Sequence, residues 1–191
     1  SDIAGILFFL IGAMTIVELI DLHEGFQVII DAIKTTNKRT LVIIISFITF
    51  FLSAILDNLT TAIVMCTLVA KILSDQRDKN IVMGMVIIAA NSGGAWSPIG
   101  DVTTTMLWIG NQITAVGIMK SIFLPSLVSV CVPLLLFLTK MKGTFSPKIG
   151  DSQILVEPKE RNIIFYSGIS LLIFVPIFKT FTHLAPYMGM M

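Results

Sequence analysis

The sequence predicts an all-α membrane protein in which transmembrane helices surround a re-entrant hairpin over 41–70 and a discontinuous helix over 81–119. Three observations lead there. Of 191 residues only 25 are charged, 13 basic and 12 acidic, or 13%, about half the share of an ordinary soluble domain at about 25%. Hydrophobic residues make up 55% of the chain and the mean hydropathy is +0.92, more apolar surface than a soluble fold of this size hides. Two of the apolar runs are also interrupted at their centres by polar residues and glycine. This arithmetic excludes disorder and a freely soluble enzyme. A net charge of +1, with Lys and Arg clustered between apolar runs, excludes a nucleic-acid partner.

Five apolar stretches set the elements. Ile3–Val17, extended to about Ile20, Ser121–Thr139 and Asn162–Phe178 carry no charge within Ile3–Val17 or the other two runs and read as simple spans, since a crossing takes about 20 helical residues. Pro125, Pro133 and Pro176 are tolerable kinks in such helices. Asp21 with Glu24 three residues on resembles a capping box. The helix it opens puts Phe26, Ile29, Ile30 and Ile33 on one face, which predicts an interfacial amphipathic helix over 22–34. Leu41–Ala70 holds a single charge, Asp57. It is too long for one span and too short for two, and breaks at Asp57-Asn58 into arms shorter than a crossing, the signature of a re-entrant hairpin. Ile81–Met119 holds only Asp101, and its centre, Asn91-Ser92-Gly93-Gly94-Ala95-Trp96-Ser97-Pro98-Ile99-Gly100-Asp101, predicts an unwound loop between Ile81–Ala90 and Val102–Met119. Residues 140–161 read as a polar cytoplasmic linker, and 162–191 as the start of a following membrane segment.

The positive-inside rule supports the hairpin. If 41–70 returns to the side it left, 11 of the 13 basic residues share one side, with Lys120 and Lys179 opposite. A single crossing would split them 8 to 5. The basic loops 35–40, 71–80 and 140–161 are therefore expected in the cytoplasm, and the membrane is expected to be a bacterial inner membrane. No secretory signal opens the chain, and both ends read as cut from a longer membrane protein. Cys66 and Cys131 lie in apolar runs and are expected to pack as thiols. The ten methionines are expected to pack or face lipid.

The two breaks share a pattern. Asp57-Asn58-Leu59-Thr60-Thr61 and Asp101-Val102-Thr103-Thr104-Thr105 both read Asp-x-x-Thr-Thr at a helix start. Each Asp caps a half-helix, but Ser or Asn would cap as well without an ionisable group whose insertion costs about 2.5–3.5 kcal/mol. Oxygen-rich breaks at mid-membrane suit a small hard cation. The candidate ion-binding residues are Asp57, Asn58, Thr60, Thr61, Asn91, Ser92, Gly93, Gly94, Ser97, Asp101, Thr103 and Thr104, with Thr105 and with carbonyls freed around Gly93, Gly94 and Gly100. Asp57, Asn58, Asn91 and Asp101 are the expected Na⁺ ligands. A buried carboxylate tends to protonate when its ion leaves, so one site carries Na⁺ or H⁺ but not both.

The segments Phe8–Asp21, Leu56–Met65 and Asn91–Thr104 resemble NhaD-type sodium/proton antiporters, within the ion-transporter superfamily that includes arsenite permeases and citrate and dicarboxylate carriers. The resemblance implies two inverted repeats, each with a re-entrant hairpin and a broken helix forming an ion site. Residues 1–139 would be the first repeat, and the partners would be the lipid bilayer and the missing second half of the same transporter, with room for a homodimer. It implies exchange of Na⁺, or Li⁺, for H⁺, with no cofactor and no enzymatic step.

Glu18 and His23 are a candidate proton path or pH sensor beside an interfacial acid role, because His titrates near neutral pH. Trp96 is expected to wall the ion pocket and Trp108 to pack or anchor. An anion or arsenite permease is the alternative, disfavoured because two carboxylates repel an anion. An intramembrane aspartyl protease is a remote one, since Pro98 and Leu56 stand where its motifs require Gly and Tyr.

Overall fold

A computed structural model describes residues 2–33, 35–141, 143–144, 157–182, 184 and 188–189. Eight helices are assigned among them: α1 (Asp2–Leu22), α2 (Gln27–Ala32), α3 (Lys38–Ser53), α4 (Asn58–Ile72), α5 (Gln76–Ala95), α6 (Val102–Ile109), α7 (Ala115–Lys140) and α8 (Pro158–Thr182). Among the described residues there is no strand, only an isolated bridge between Asn37 and Thr144. Residues 145–156 of the expected linker lie outside the described residues.

Several boundaries correct the sequence reading. Asp21 and Glu24 do not open a helix; they close α1. Glu24 is left-handed at φ 53, its N–H bonds the Asp21 carbonyl, and Gly25 N–H bonds the Ile20 carbonyl. This Schellman stop satisfies the orphan carbonyls of α1. The amphipathic helix expected over 22–34 therefore shrinks to the six residues of α2. Phe26 and Ile29 are buried, with Phe26 edge-on to Phe165 of α8, so they pack on protein instead of lying in the interface.

The hairpin 41–70 is two helices, α3 with 16 residues and α4 with 15, each about 22–24 Å long at 1.5 Å per residue, joined through 54–57. The broken helix differs more. α5 runs unbroken through Asn91–Ala95, and the irregular stretch is only Trp96–Asp101. Pro98 supplies the reason: it has no N–H and disfavours the helical conformation at Ser97. Val102–Met119 is also divided. α6 ends after eight residues at Gly110, and Thr114 then caps α7 through Gly117 N–H at 3.1 Å. α7 thus spans Ala115–Lys140 rather than 121–139, and it contains Lys120. α8 begins at Pro158, which suits the first helical turn, instead of 162.

Polarity is distributed as lipid requires. Leu124, Leu135 and Leu136 of α7 and Leu171 and Phe174 of α8 are exposed, while Ser46, Thr49, Ser53, Thr61 and Ser126 are buried. The Ser46 and Thr49 hydroxyls donate to Val42 and Ile45 carbonyls at 2.7 and 2.6 Å, so neither is left unpaired. Ala115–Lys140 and Pro158–Lys179 are long and apolar enough to cross a membrane.

α5 packs against α3, α4 and α7. One end of this group gathers the basic residues. Lys38 pairs with Asp78 at 2.5 Å, joining the start of α3 to the start of α5. Arg39 Nε donates to the Met141 carbonyl at 2.9 Å, adding the end of α7. The α3–α4 pair therefore leaves this end and returns to it. Farther in, Ser92 Oγ lies 3.3 Å from Ser129 Oγ. Ser129 sits about 16 Å along α7 from Lys140 and about 21 Å from Ala115, which puts this part of α5 level with the middle of the longest helix.

Candidate functional site

The two breaks meet. Asn58 N–H donates to the Gly100 carbonyl at 3.0 Å, Ser53 Oγ to the Ala90 carbonyl at 2.6 Å, and Ser97 Oγ to the Ala54 carbonyl at 2.5 Å. Glycine makes this approach feasible. A Cβ on Gly94 would stand 2.3 Å from the Gly100 carbonyl oxygen, and one on Gly100 would stand 2.4 Å from that of Ser53. Gly93 and Gly94 thus serve close packing of a continuous helix, not unwinding.

Four helix ends converge here: the C-termini of α3 and α5 and the N-termini of α4 and α6. Asp57 caps α4 through both carboxylate oxygens, Oδ1 accepting Thr60 N–H at 2.8 Å and Oδ2 accepting Thr60 Oγ at 2.5 Å. Asp101 caps α6 more loosely, its Oδ1 accepting Thr103 N–H at 3.3 Å, while Thr104 Oγ donates to the Asp101 carbonyl at 2.9 Å. Asp57 and Asp101 are direct neighbours in sequence of Asn58 and Gly100, whose backbones are bonded. Asn58 Nδ2 donates to Asn91 Oδ1 at 3.2 Å, beside a cavity of about 430 Å³ lined by Asn58, Leu59, Ala62, Ile63, Cys66 and Asn91 among others.

The predicted residues separate into groups. Asp57, Asn58, Asn91, Ser97 and Asp101 lie at or beside the junction. Ser92 is buried and turned toward Ser129 of α7. Thr61 is buried with Oγ lacking a hydrogen-bond partner. Thr103 is exposed and Thr105 is buried. The carbonyls expected to be free are partly engaged: Gly94 accepts Ser97 N–H and Gly100 accepts Asn58 N–H. Cys66 and Cys131 are free thiols, both half-buried. Trp96 is half-buried, stacked on Phe50 at 6.0 Å and edge-on to Phe123 at 5.1 Å. Glu18 is exposed on α1, and His23 Nδ1 donates to the Leu19 carbonyl at 2.8 Å; among the described residues no hydrogen bond links either to the junction. Sequence reasoning missed Ser53 and Ala54. A serine four residues before Asp57, in an apolar arm, was the available signal. Among the described residues no three His, Cys, Asp or Glu side chains gather as metal ligands; the side-chain oxygens at the junction are carboxylate, amide and hydroxyl oxygens.

The citrate transporter family model matches residues 3–191. The chain belongs to the citrate transporter family. It is similar to sodium/proton antiporter 1 and sodium/proton antiporter 2 of Arabidopsis thaliana, at 47% and 43% identity over the whole chain. It is 35% identical, again over the whole chain, to the Na⁺/H⁺ antiporter NhaD of Vibrio cholerae. These matches cover 34%, 46% and 40% of the relatives, so the chain spans between a third and a half of their length. No solved structure matches it. Family membership and the two long apolar helices identify an integral membrane protein. A family of transporters also agrees with the expectation of a non-enzymatic chain, which sets the protease alternative aside.

Proposed function

We propose that this chain supplies half of the ion path of a sodium–proton antiporter, with Asp57 and Asp101 as the charged groups of a site that holds Na⁺ or H⁺ in turn. The observation that carries the reading is the Asn58 N–H to Gly100 carbonyl bond, which brings two carboxylate-bearing helix starts together at the depth of mid-α7. Two ionisable residues at that depth are costly, and capping alone does not require them. Asn58, Asn91 and the Thr60 hydroxyl are the neutral oxygens beside them. A carboxylate and one monovalent cation make a neutral site, and so do a carboxylate and a proton, which gives the competition that exchange needs. The names of the relatives, sodium/proton antiporters, favour the same ions.

The α3–α4 pair acts as a re-entrant hairpin whose tip stops within the membrane, and α5–α6 as a broken helix crossing it once. The basic loops 35–40, 71–80 and 140–161 face the cytoplasm. A second, inverted repeat in the remaining length of the transporter completes the site, and Glu18 with His23 lies on a proton route near the cytoplasmic end. The expectation of a bacterial inner membrane gives way to the coarser one, because the relatives at 47% and 43% identity are plant proteins. An anion carrier is disfavoured because both helix N-termini at the junction, which would attract an anion, already carry a carboxylate.

The test is Asp57→Asn in the full-length protein. It keeps the size and much of the capping ability and removes the titrating charge. Na⁺-driven proton movement in everted vesicles is expected to be lost while expression and folding persist. Near-normal exchange by a well-expressed Asp57→Asn protein would overturn the mechanism.

A further inference from the structure

Lys179 is a charge that the ion site does not use, and the sequence sets it just past the Asn162–Phe178 span on the side opposite the basic cluster. It lies inside α8, in a helix long and apolar enough to cross the membrane. A lysine near the end of such a helix ordinarily extends its amine to the water interface. Here the amine turns inward. Lys179 Nζ donates to the Trp108 carbonyl at 2.5 Å and sits 4.2 Å from the centre of the Trp108 ring. Trp108 is 3% exposed and stands in the last turn of α6. The contact therefore supplies a cation to a helix C-terminus and a cation–π contact to a buried indole at once.

α6 has only eight residues, well short of the roughly 12–15 at which an isolated helix becomes even marginal in water; it packs along α1, and its tilt against that helix depends on what holds its ends. Its N-terminus carries Asp101. Two turns on, its C-terminus is held by Lys179. α8 also reaches the break itself: Pro176 and Ile177 line a cavity of about 400 Å³ with Ala54, Trp96, Ser97 and Pro98. One helix thus borders the hairpin tip and grips the far end of the half-helix that presents Asp101.

We infer that Lys179 is a positioning residue for the ion site, holding α6 by its C-terminus so that Asp101 stays against the hairpin tip. This rests on the reading of the junction as an ion site. Without the ammonium, α6 gains freedom to slide or tilt, and Asp101 is no longer held at one distance from Asp57. Binding of the cation suffers more than the maximal rate, because the fully loaded site still forms at high Na⁺.

The experiment compares Lys179→Met and Lys179→Arg in the full-length protein with two readouts. The first is the Na⁺ concentration for half-maximal proton movement in everted vesicles. The second is acrylamide quenching of Trp108 in a protein where it is the single tryptophan, measured in detergent. Lys179→Met is expected to raise the half-saturating Na⁺ roughly tenfold, with the maximal rate per molecule within about twofold, and to raise the quenching of Trp108. Such a rise corresponds to about 1.4 kcal/mol. Lys179→Arg keeps the charge, the donors and the ring contact and is expected to restore both values. Unchanged quenching in Lys179→Met overturns the clamp. Raised quenching with unchanged half-saturation overturns its role at the ion site. If the parent protein exchanges no Na⁺, the antiport reading fails, while quenching still decides whether Lys179 holds α6.

Discussion

Gly93→Ala adds one methyl group where α5 crosses α3. Its Cβ would lie 2.1 Å from the Phe50 carbonyl oxygen, 2.8 Å from the carbonyl carbon and 2.9 Å from Cα. All three are backbone atoms, so no rotamer change relieves the clash, and the helices must separate by roughly 1 Å or more to restore van der Waals distance. Overpacking of this kind costs about 1–3 kcal/mol. The separation also stretches the Ser53–Ala90 and Ser97–Ala54 hydrogen bonds, each contributing about 0.5–1.5 kcal/mol. The expected loss is ~2–4 kcal/mol, a fall in melting temperature of roughly 5–15 °C for a domain of this size, with coupled exchange impaired because the hairpin tip is displaced from the break. Gly84→Ala is the control on the same helix. Nothing lies within 4 Å of its added Cβ, and Ala in a helix interior gains about 0.5–1 kcal/mol over Gly. The assay is thermal unfolding of the detergent-solubilised variants alongside exchange in vesicles. A Gly93→Ala protein as stable and active as the parent, or a Gly84→Ala protein as damaged as Gly93→Ala, would refute the close-approach argument.

Thr60→Ala removes a neutral oxygen that donates to Asp57 while leaving the N–H cap; the expected result is a several-fold rise in half-saturating Na⁺ without loss of exchange, read from Na⁺ titrations in vesicles. Lys38→Met and Asp78→Asn each strand the partner of a largely buried ion pair. Each is expected to destabilise by about 1–3 kcal/mol, and the double variant by clearly less than the sum, read from a double-mutant cycle of melting temperatures. Single cysteines at Lys38 and Arg77 are expected to react with membrane-impermeant maleimide from the same, cytoplasmic side, because the starts of α3 and α5 are joined by that ion pair; opposite sidedness would overturn the hairpin topology.

Much of this architecture follows from one-dimensional physics. A bilayer excludes charge and unpaired backbone, so sparse charges and apolar run lengths mark the long apolar helices α7 and α8, and the basic clusters mark a common end. Asp57 and Asp101 stood out for the same reason, an acid inside a long apolar run being costly, and the structure makes both of them helix caps at adjoining helix starts. The stop of α1 at Glu24 was not legible, because an Asp-x-x-Glu pattern serves either helix end and only the packing of Phe26 against Phe165 selects one. Glycine misled at Gly93 and Gly94 in the same way. Sequence records that a side chain is missing, but not whether the space goes to an unwound backbone or to a neighbouring helix. The Phe50 carbonyl, far away along the chain, decides that. The meeting of Asn58 with Gly100 and the turn of Lys179 onto Trp108 belong to tertiary structure for the same reason. They are contacts between elements whose separation in sequence carries no periodicity, fixed only when α5 packs against α3, α4 and α7 and when α6 and α8 both pack against α1.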